Sequence, residues 1–196
     1  MNRWLAIILL HGYWYVSSVQ AQTFQTEKLE LLIGHVQAYH NGQLVYDHPQ
    51  FLHIKELPFQ IEDTNTIPVD SIKFLLGVDS LQHEMGIVGN GLSPVNGMYW
   101  AWQSGYIFVK WEGYIQNEKE IQPFTFHLGG FQSPFRCDQP CSIVLKKSKP
   151  MNEIQLSFKP TNELNQFVLE SDFEIMSPQP AAIQMMKLFS QCLIVQ

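Results

Sequence analysis

The chain has 196 residues, 45% of them hydrophobic, enough for one domain with a substantial core and too few for two. Only 15% are charged, the formal net charge is -6, and the lysines form no long run or stripe. That excludes the electrostatic footprint of a nucleic-acid binder.

In chain order, the first 21 residues read as a signal peptide. Met1-Asn2-Arg3 supplies a short positive start, Trp4 to Leu10 is an apolar run that continues raggedly to Val16, and Val19-Gln20-Ala21 fits a small-x-small cleavage site. His11 and Gly12 interrupt the run, and it is short for a membrane span, so an uncleaved anchor is the weaker alternative. No later segment looks transmembrane. The expected mature chain is therefore a single β domain over 22–196, without a membrane anchor.

Leu29, Leu31 and Ile33 share one face of a strand ending near Tyr39, and Asn41-Gly42 then turns the chain into a second strand beginning at Leu44, which predicts a hairpin. Further strands are expected at Phe51–Ile54, Ser71–Leu76, Tyr106–Glu112, Phe124–Leu128, Ile143–Leu145 and Ile154–Phe158, with Gly and Pro between most of them. Short punctuated strands without helical crossovers predict a mainly β fold, an antiparallel sandwich or barrel-like domain. One C-terminal helix is expected over Pro178–Gln191, with Ser177 as cap and Ala182, Met185, Met186 and Phe189 as its buried stripe.

Catalytic motifs are poorly represented. Gly77-Val78-Asp79-Ser80-Leu81 is a broken esterase-like signature, His83-Glu84 lacks the second histidine of a zinc-protease helix, and Asp79 with Glu84 reads as a pair of solvated loop carboxylates. No ordinary enzyme is indicated. Cys137 and Cys141 flank the turn-like Asp138-Gln139-Pro140, so a disulfide or free thiols are favoured there over a metal site, with Cys192 left over.

Trp100 and Trp102 lie two apart, on one face if the segment is extended, and form either core or an electron-rich wall beside a site. His127 lies opposite in face to Phe126 and Leu128 on its expected strand. Imidazole is a common ligand for copper and zinc, which makes His127 a candidate ligand, although a strand histidine is more often simply hydrogen-bonded. His35 and His53 also fall on expected strands.

Gly91-Leu92-Ser93-Pro94, Asn96-Gly97-Met98-Tyr99-Trp100-Ala101-Trp102-Gln103-Ser104-Gly105-Tyr106-Ile107, Glu112-Gly113 and Phe126-His127-Leu128-Gly129-Gly130, preceded by Leu76 to Leu81, resemble the MbnP-like family in order and spacing. These are exported proteins named for a methanobactin-associated periplasmic copper-binding protein. Weaker similarity extends to Ile33-Gly34-His35-Val36 with Asn41-Gly42, and to Met176-Ser177-Pro178.

The resemblance implies a periplasmic or secreted β domain that binds copper through histidine, with a tryptophan oxidised to kynurenine by a di-haem cytochrome c peroxidase-like partner. On this chain it points to Trp100 or Trp102 and to His127, with His35 and His53 in reserve. Three departures stand out. Relatives carry an additional strand before the segment equivalent to Leu29–Tyr39, which is expected to be shortened or lost here; His35 replaces a usual Asn; and the Cys137 and Cys141 pair is foreign to the pattern. The alternative is a metal-free extracytoplasmic β domain acting as an interaction or accessory module.

N-terminal sequencing of protein from its native host should begin at Gln22; a chain still starting at Met1 would overturn the exported reading.

Overall fold

A computed structural model describes residues 23–61, 66–86, 90–101, 104–117 and 120–196. The expected signal segment lies outside them, as does Trp102. The strands are β1 (Thr23–His40), β2 (Gln43–His48), β3 (Leu52–Ile54), β4 (Phe59–Gln60), β5 (Pro68–Leu76), β6 (Tyr99–Ala101), β7 (Gly105–Tyr106), β8 (Val109–Gln116) and β9 (Ile121–Leu128), followed by β10 (Gln139–Pro150), β11 (Gln155–Phe158), β12 (Glu174–Ile175) and β13 (Leu193–Val195). Among the described residues three α-helices accompany them: α1 (Ser80–Glu84), α2 (Asn162–Glu170) and α3 (Pro180–Gln191). The fold is mainly β and predominantly antiparallel, as the punctuation predicts.

The main sheet has eight strands, ordered β10-β5-β1-β8-β9-β12, with β2 and β3 also on β1. β1 organises it. Leu31 pairs with both Ile54 and Val109, and Ile33 with both Leu52 and Leu76, so β3 lies along one edge of β1 while β8 and β5 divide the other. The division falls at Leu32. Its N–H donates to the Phe108 carbonyl at 2.8 Å, and its carbonyl accepts from the Gly77 N–H at 2.8 Å. The segment before Leu32 is itself strand, running from Thr23 into the rest of β1 and pairing with β8.

The Asn41-Gly42 hairpin forms as expected, both residues having positive φ (51° and 77°), which suits a tight turn between twisted strands. His35 also has positive φ (54°), at an irregularity in the β1–β5 ladder. Asn, Asp and His are the non-glycine residues most often found in that conformation, so His35 is accommodated there.

Leu29, Leu31, Val109, Trp111, Phe124, Phe126 and Leu128 alternate onto one face and enter the core. Trp111 is fully buried, with ring centroids 5.0 Å from Phe124, 5.9 Å from Phe126, 5.5 Å from Phe158 on β11 and 6.0 Å from Phe189 on α3. Its indole N–H donates to Thr26 Oγ1 at 2.9 Å, so the ring is buried without an orphaned donor. The α3 stripe is as expected: Ala182, Met185, Met186 and Phe189 are all buried. Its start differs, since Gln179 and not Ser177 occupies the cap, with Pro180 in the first turn. The sequence reading missed α2. Thr161 caps it by accepting from the Leu164 N–H, and only Leu164 and Val168 are buried, too few apolar positions to declare a period.

Cys137, Cys141 and Cys192 are free buried thiols, so the Cys137–Cys141 disulfide is not formed. Cys141 is held in the β10–β5 ladder opposite Phe74, while the Cys137 N–H is tied to the Gly130 carbonyl in the preceding loop. Burial pushes both thiols up to about 12, which suppresses the thiolate and therefore reactivity.

Two outcomes follow from this packing. Trp111→Ala should lose about 3–5 kcal/mol in a denaturant titration, whereas Val95→Ser, at a position 91% exposed, should stay within about 0.5 kcal/mol. Thiol titration with Ellman's reagent should be slow on folded protein and give three thiols per chain in denaturant; a single thiol would restore the disulfide.

Candidate functional site

The alternation that buries Trp111 turns Lys110, Glu112, Thr125 and His127 to the opposite face, together with Lys28 and Glu30 from β1. In one row across the sheet Glu30 faces Lys110, and Lys110 faces His127; in the next, Lys28 faces Glu112, and Glu112 faces Thr125. The result is a chequerboard of charge. Cross-strand pairs of opposite sign each contribute roughly 0.2–1 kcal/mol and oppose register slips.

Two histidine–carboxylate contacts stand on this face. His127 Nε2 lies 2.7 Å from Glu112 Oε1, and His53 Nε2 lies 2.7 Å from Glu30 Oε2. Both rings are sheltered, with side chains 12% and 5% exposed. Glu30 also receives Lys28 Nζ at 3.0 Å. Burial would raise its carboxyl, but the hydrogen bonds from Lys28 and His53 and their charge hold it below the usual value. The second ring nitrogen of His53, Nδ1, is buried without a partner.

Trp100 is half-buried on β6 and packs against Gly129. A side-chain carbon at Gly129 would stand 2.9 Å from the edge of the Trp100 ring, so glycine is what admits the indole. Gly129 follows His127 by two residues, which keeps their Cα atoms within about 7 Å. The Trp100 indole N–H is buried and has no acceptor. Tyr99 and Tyr106 flank this hairpin in an edge-to-face contact of 4.9 Å.

The three histidines singled out from sequence do not meet. His53 and His127 sit on β3 and β9, with β1 and β8 between them. Three strand spacings make roughly 14 Å of backbone, while ligands of one ion at about 2 Å each lie within about 4 Å of one another. His35 is on the other half of β1, beyond the division at Leu32, where its backbone turn sends Nε2 to Asp79 Oδ2 at 3.0 Å and its ring edge-on to Phe51. Among the described residues no group of three His, Cys, Asp or Glu side chains could hold an ion.

The discounted motifs prove structural. Asp79 caps α1 by accepting from the Gln82 N–H at 2.8 Å, and Ser80 Oγ donates to the Phe131 carbonyl at 2.9 Å. Burial raises the Asp79 carboxyl, but the Gln82 N–H and His35 hold it below its ordinary value. His83 was overlooked as an environment: it stacks on Phe131 at 4.1 Å and lies beside Tyr106, and burial lowers its pKa to about 4. No spacing in the sequence announces that aromatic setting, because Phe131 arrives from a distant loop.

His127 offers an imidazole, a preferred donor to copper, but among the described residues it joins no group of three His, Cys, Asp or Glu side chains able to hold an ion. No curated protein and no solved structure matches the chain. The MbnP family model matches residues 8–185. That match spans nearly the whole chain and includes the W-x-W hairpin, the Phe126-His127-Leu128-Gly129-Gly130 strand end and the first half of α3, and on this extent the protein belongs to the MbnP family.

Proposed function

We propose that the chain is an exported copper-binding protein, periplasmic or secreted, in which His127 is the imidazole ligand and Trp100 the neighbouring group matured by oxidation. The observation that carries this reading is the seating of the Trp100 indole on Gly129, two residues from His127, with its N–H buried and unpaired. Copper, when bound, supplies a soft, redox-active Lewis acid for which imidazole nitrogen is a good donor. Glu112 holds the His127 ring, and Gly129 leaves space for the six-membered edge of the indole.

Intact tryptophan offers copper no lone pair. Adding one oxygen to each of C2 and C3 with cleavage of the bond between them gives the N-formyl ketone, and hydrolysis by water releases C2 as formate, leaving an aromatic amine and a ketone, each able to ligate or accept hydrogen bonds. The oxidising equivalents would come from a di-haem cytochrome c peroxidase-like partner, as family resemblance suggests. Among the described residues no helix is long and apolar enough to cross a membrane, and the amino-terminal apolar run with its Val19-Gln20-Ala21 junction supports export.

A second reading is favoured by one observation. His53 and His127 lie three strands apart, and each already has a carboxylate partner, as expected of a metal-free sheet that works as an accessory or interaction module.

Copper titration of protein purified from its native compartment separates the two. Wild type should bind one copper, His127→Ala should bind at least tenfold more weakly, and the Trp100 peptide should show the small mass gain of kynurenine. Equal affinity in both proteins removes His127. No bound copper together with unmodified tryptophan establishes the accessory module.

A further inference from the structure

The chain contains three Asn-Gly pairs, Asn41-Gly42, Asn90-Gly91 and Asn96-Gly97. In such a pair the backbone nitrogen of the glycine can attack the side-chain amide of the asparagine, because glycine has no side chain to obstruct the approach. Sequence makes the three alike. The fold separates them.

Asn96-Gly97 is tied at both reacting groups. The Gly97 N–H donates to the Pro94 carbonyl at 2.9 Å, and Asn96 Nδ2 donates to the Gly91 carbonyl at 3.2 Å. Asn90-Gly91 opens a short 3-10 helix, and a side-chain carbon at Gly91 would stand 2.5 Å from the Phe51 carbonyl oxygen and 2.8 Å from the His53 nitrogen. The Gly91 backbone is thus wedged against the start of β3, where a peptide has little room to rotate.

Asn41-Gly42 differs on each count. It is the two-residue connection between β1 and β2, outside the ladder that closes at His40 and Gln43. Both residues are exposed, a side-chain carbon at Gly42 would meet nothing within 4 Å, and the Gly42 N–H has no backbone acceptor among the described residues. The Asn41 side-chain amide is held only by the adjacent His40 ring, Nδ2 to Nε2 at 3.1 Å, in an exposed contact. The Asn41 backbone N–H donates to the Asp70 carboxylate on β5. That bond anchors the peptide before Asn41 and leaves the one after it free to turn.

We propose that Asn41-Gly42 is a site of spontaneous deamidation, the pair of the three at which the folded protein permits the reaction. The Gly42 nitrogen, its proton taken by solvent base, attacks Asn41 Cγ; the new C–N bond closes a succinimide ring, the Cγ–Nδ2 bond breaks, and the side-chain nitrogen takes a proton from solvent and leaves as ammonia. Water then opens the ring at one of its two carbonyls. One product is aspartate, which tolerates positive φ. The other is isoaspartate, whose main chain runs through Cβ and lengthens a turn that fixes the register of β1 and β2. Either product places a new carboxylate on the hairpin tip, next to Asp70. Water is the only co-reactant, so the reaction is independent of copper.

Folded protein aged in mildly alkaline buffer, then digested and mapped by mass spectrometry, reads each pair separately. The Asn41 peptide should gain the mass of amide-to-acid conversion and become a substrate for isoaspartyl methyltransferase. It should convert roughly tenfold faster than the Asn96 peptide, whose two hydrogen bonds must break first, and the Asn90 peptide should also be slow. In denaturant the three should convert at comparable rates. Asn41→Gly, which keeps a turn able to adopt positive φ, should age without the acidic species that wild type accumulates. Conversion of Asn41 no faster than that of Asn96 in the folded protein overturns the proposal, as does an acidic species that persists in Asn41→Gly. A lead for Asn41 that survives unchanged in denaturant would assign the difference to local sequence and overturn the role given to the fold.

Discussion

The backbone of Leu32 is the constraint on which the rest of the structure depends. One residue donates to the strand leading from Phe108 and accepts from the turn at Gly77, so β1 hands one edge from β8 to β5 without breaking. A buried peptide group must find partners, and these two are far apart in sequence. That division places β8 and β5 along one edge of β1. The half of β1 before Leu32 carries Lys28 and Glu30 toward β8, and the half after it carries His35 toward Asp79.

Trp111 sets the second condition. Its ring is enclosed by aromatic side chains from β9, β11 and α3, and its N–H is satisfied by Thr26. Slipping β8 by one residue would expel that ring and bury Lys110 and Glu112 in its place. The outward face is therefore specified by the inward one. His127 stands beside Glu112 because Phe126 stands beside Trp111.

On the outward face, burial and pairing work in opposite directions. Removing Glu30 from water disfavours its charge, and Lys28 with His53 more than offset this. His53, 5% exposed, keeps one nitrogen without a partner, the sort of exception that structural packing alone does not call for. Trp100 presents a second unpaired atom, its buried indole N–H. No group of three metal-ligating side chains accompanies them among the described residues.

Much of this was legible beforehand. Alternation at Leu29, Leu31 and Ile33, the Asn41-Gly42 turn and the stripe Ala182, Met185, Met186 and Phe189 are local signals, since each depends on residues a few positions apart, and each forms as read. The second helix was not, because Leu164 and Val168 alone do not establish a period. Of the two states left open for Cys137 and Cys141 the structure has free thiols, because a turn brings chain neighbours near one another but does not choose the ladder that Cys141 joins. His127, Trp100 and their motif were visible as residue types. What the sequence by itself determined was the β class, the faces of its strands and the residues able to do chemistry, because chain periodicity controls which way a side chain points. Only the tertiary structure decided that His127 meets Glu112, that His53 meets Glu30 and that His35 is carried away to Asp79, because those meetings are set by lateral strand pairing between segments up to 44 residues apart.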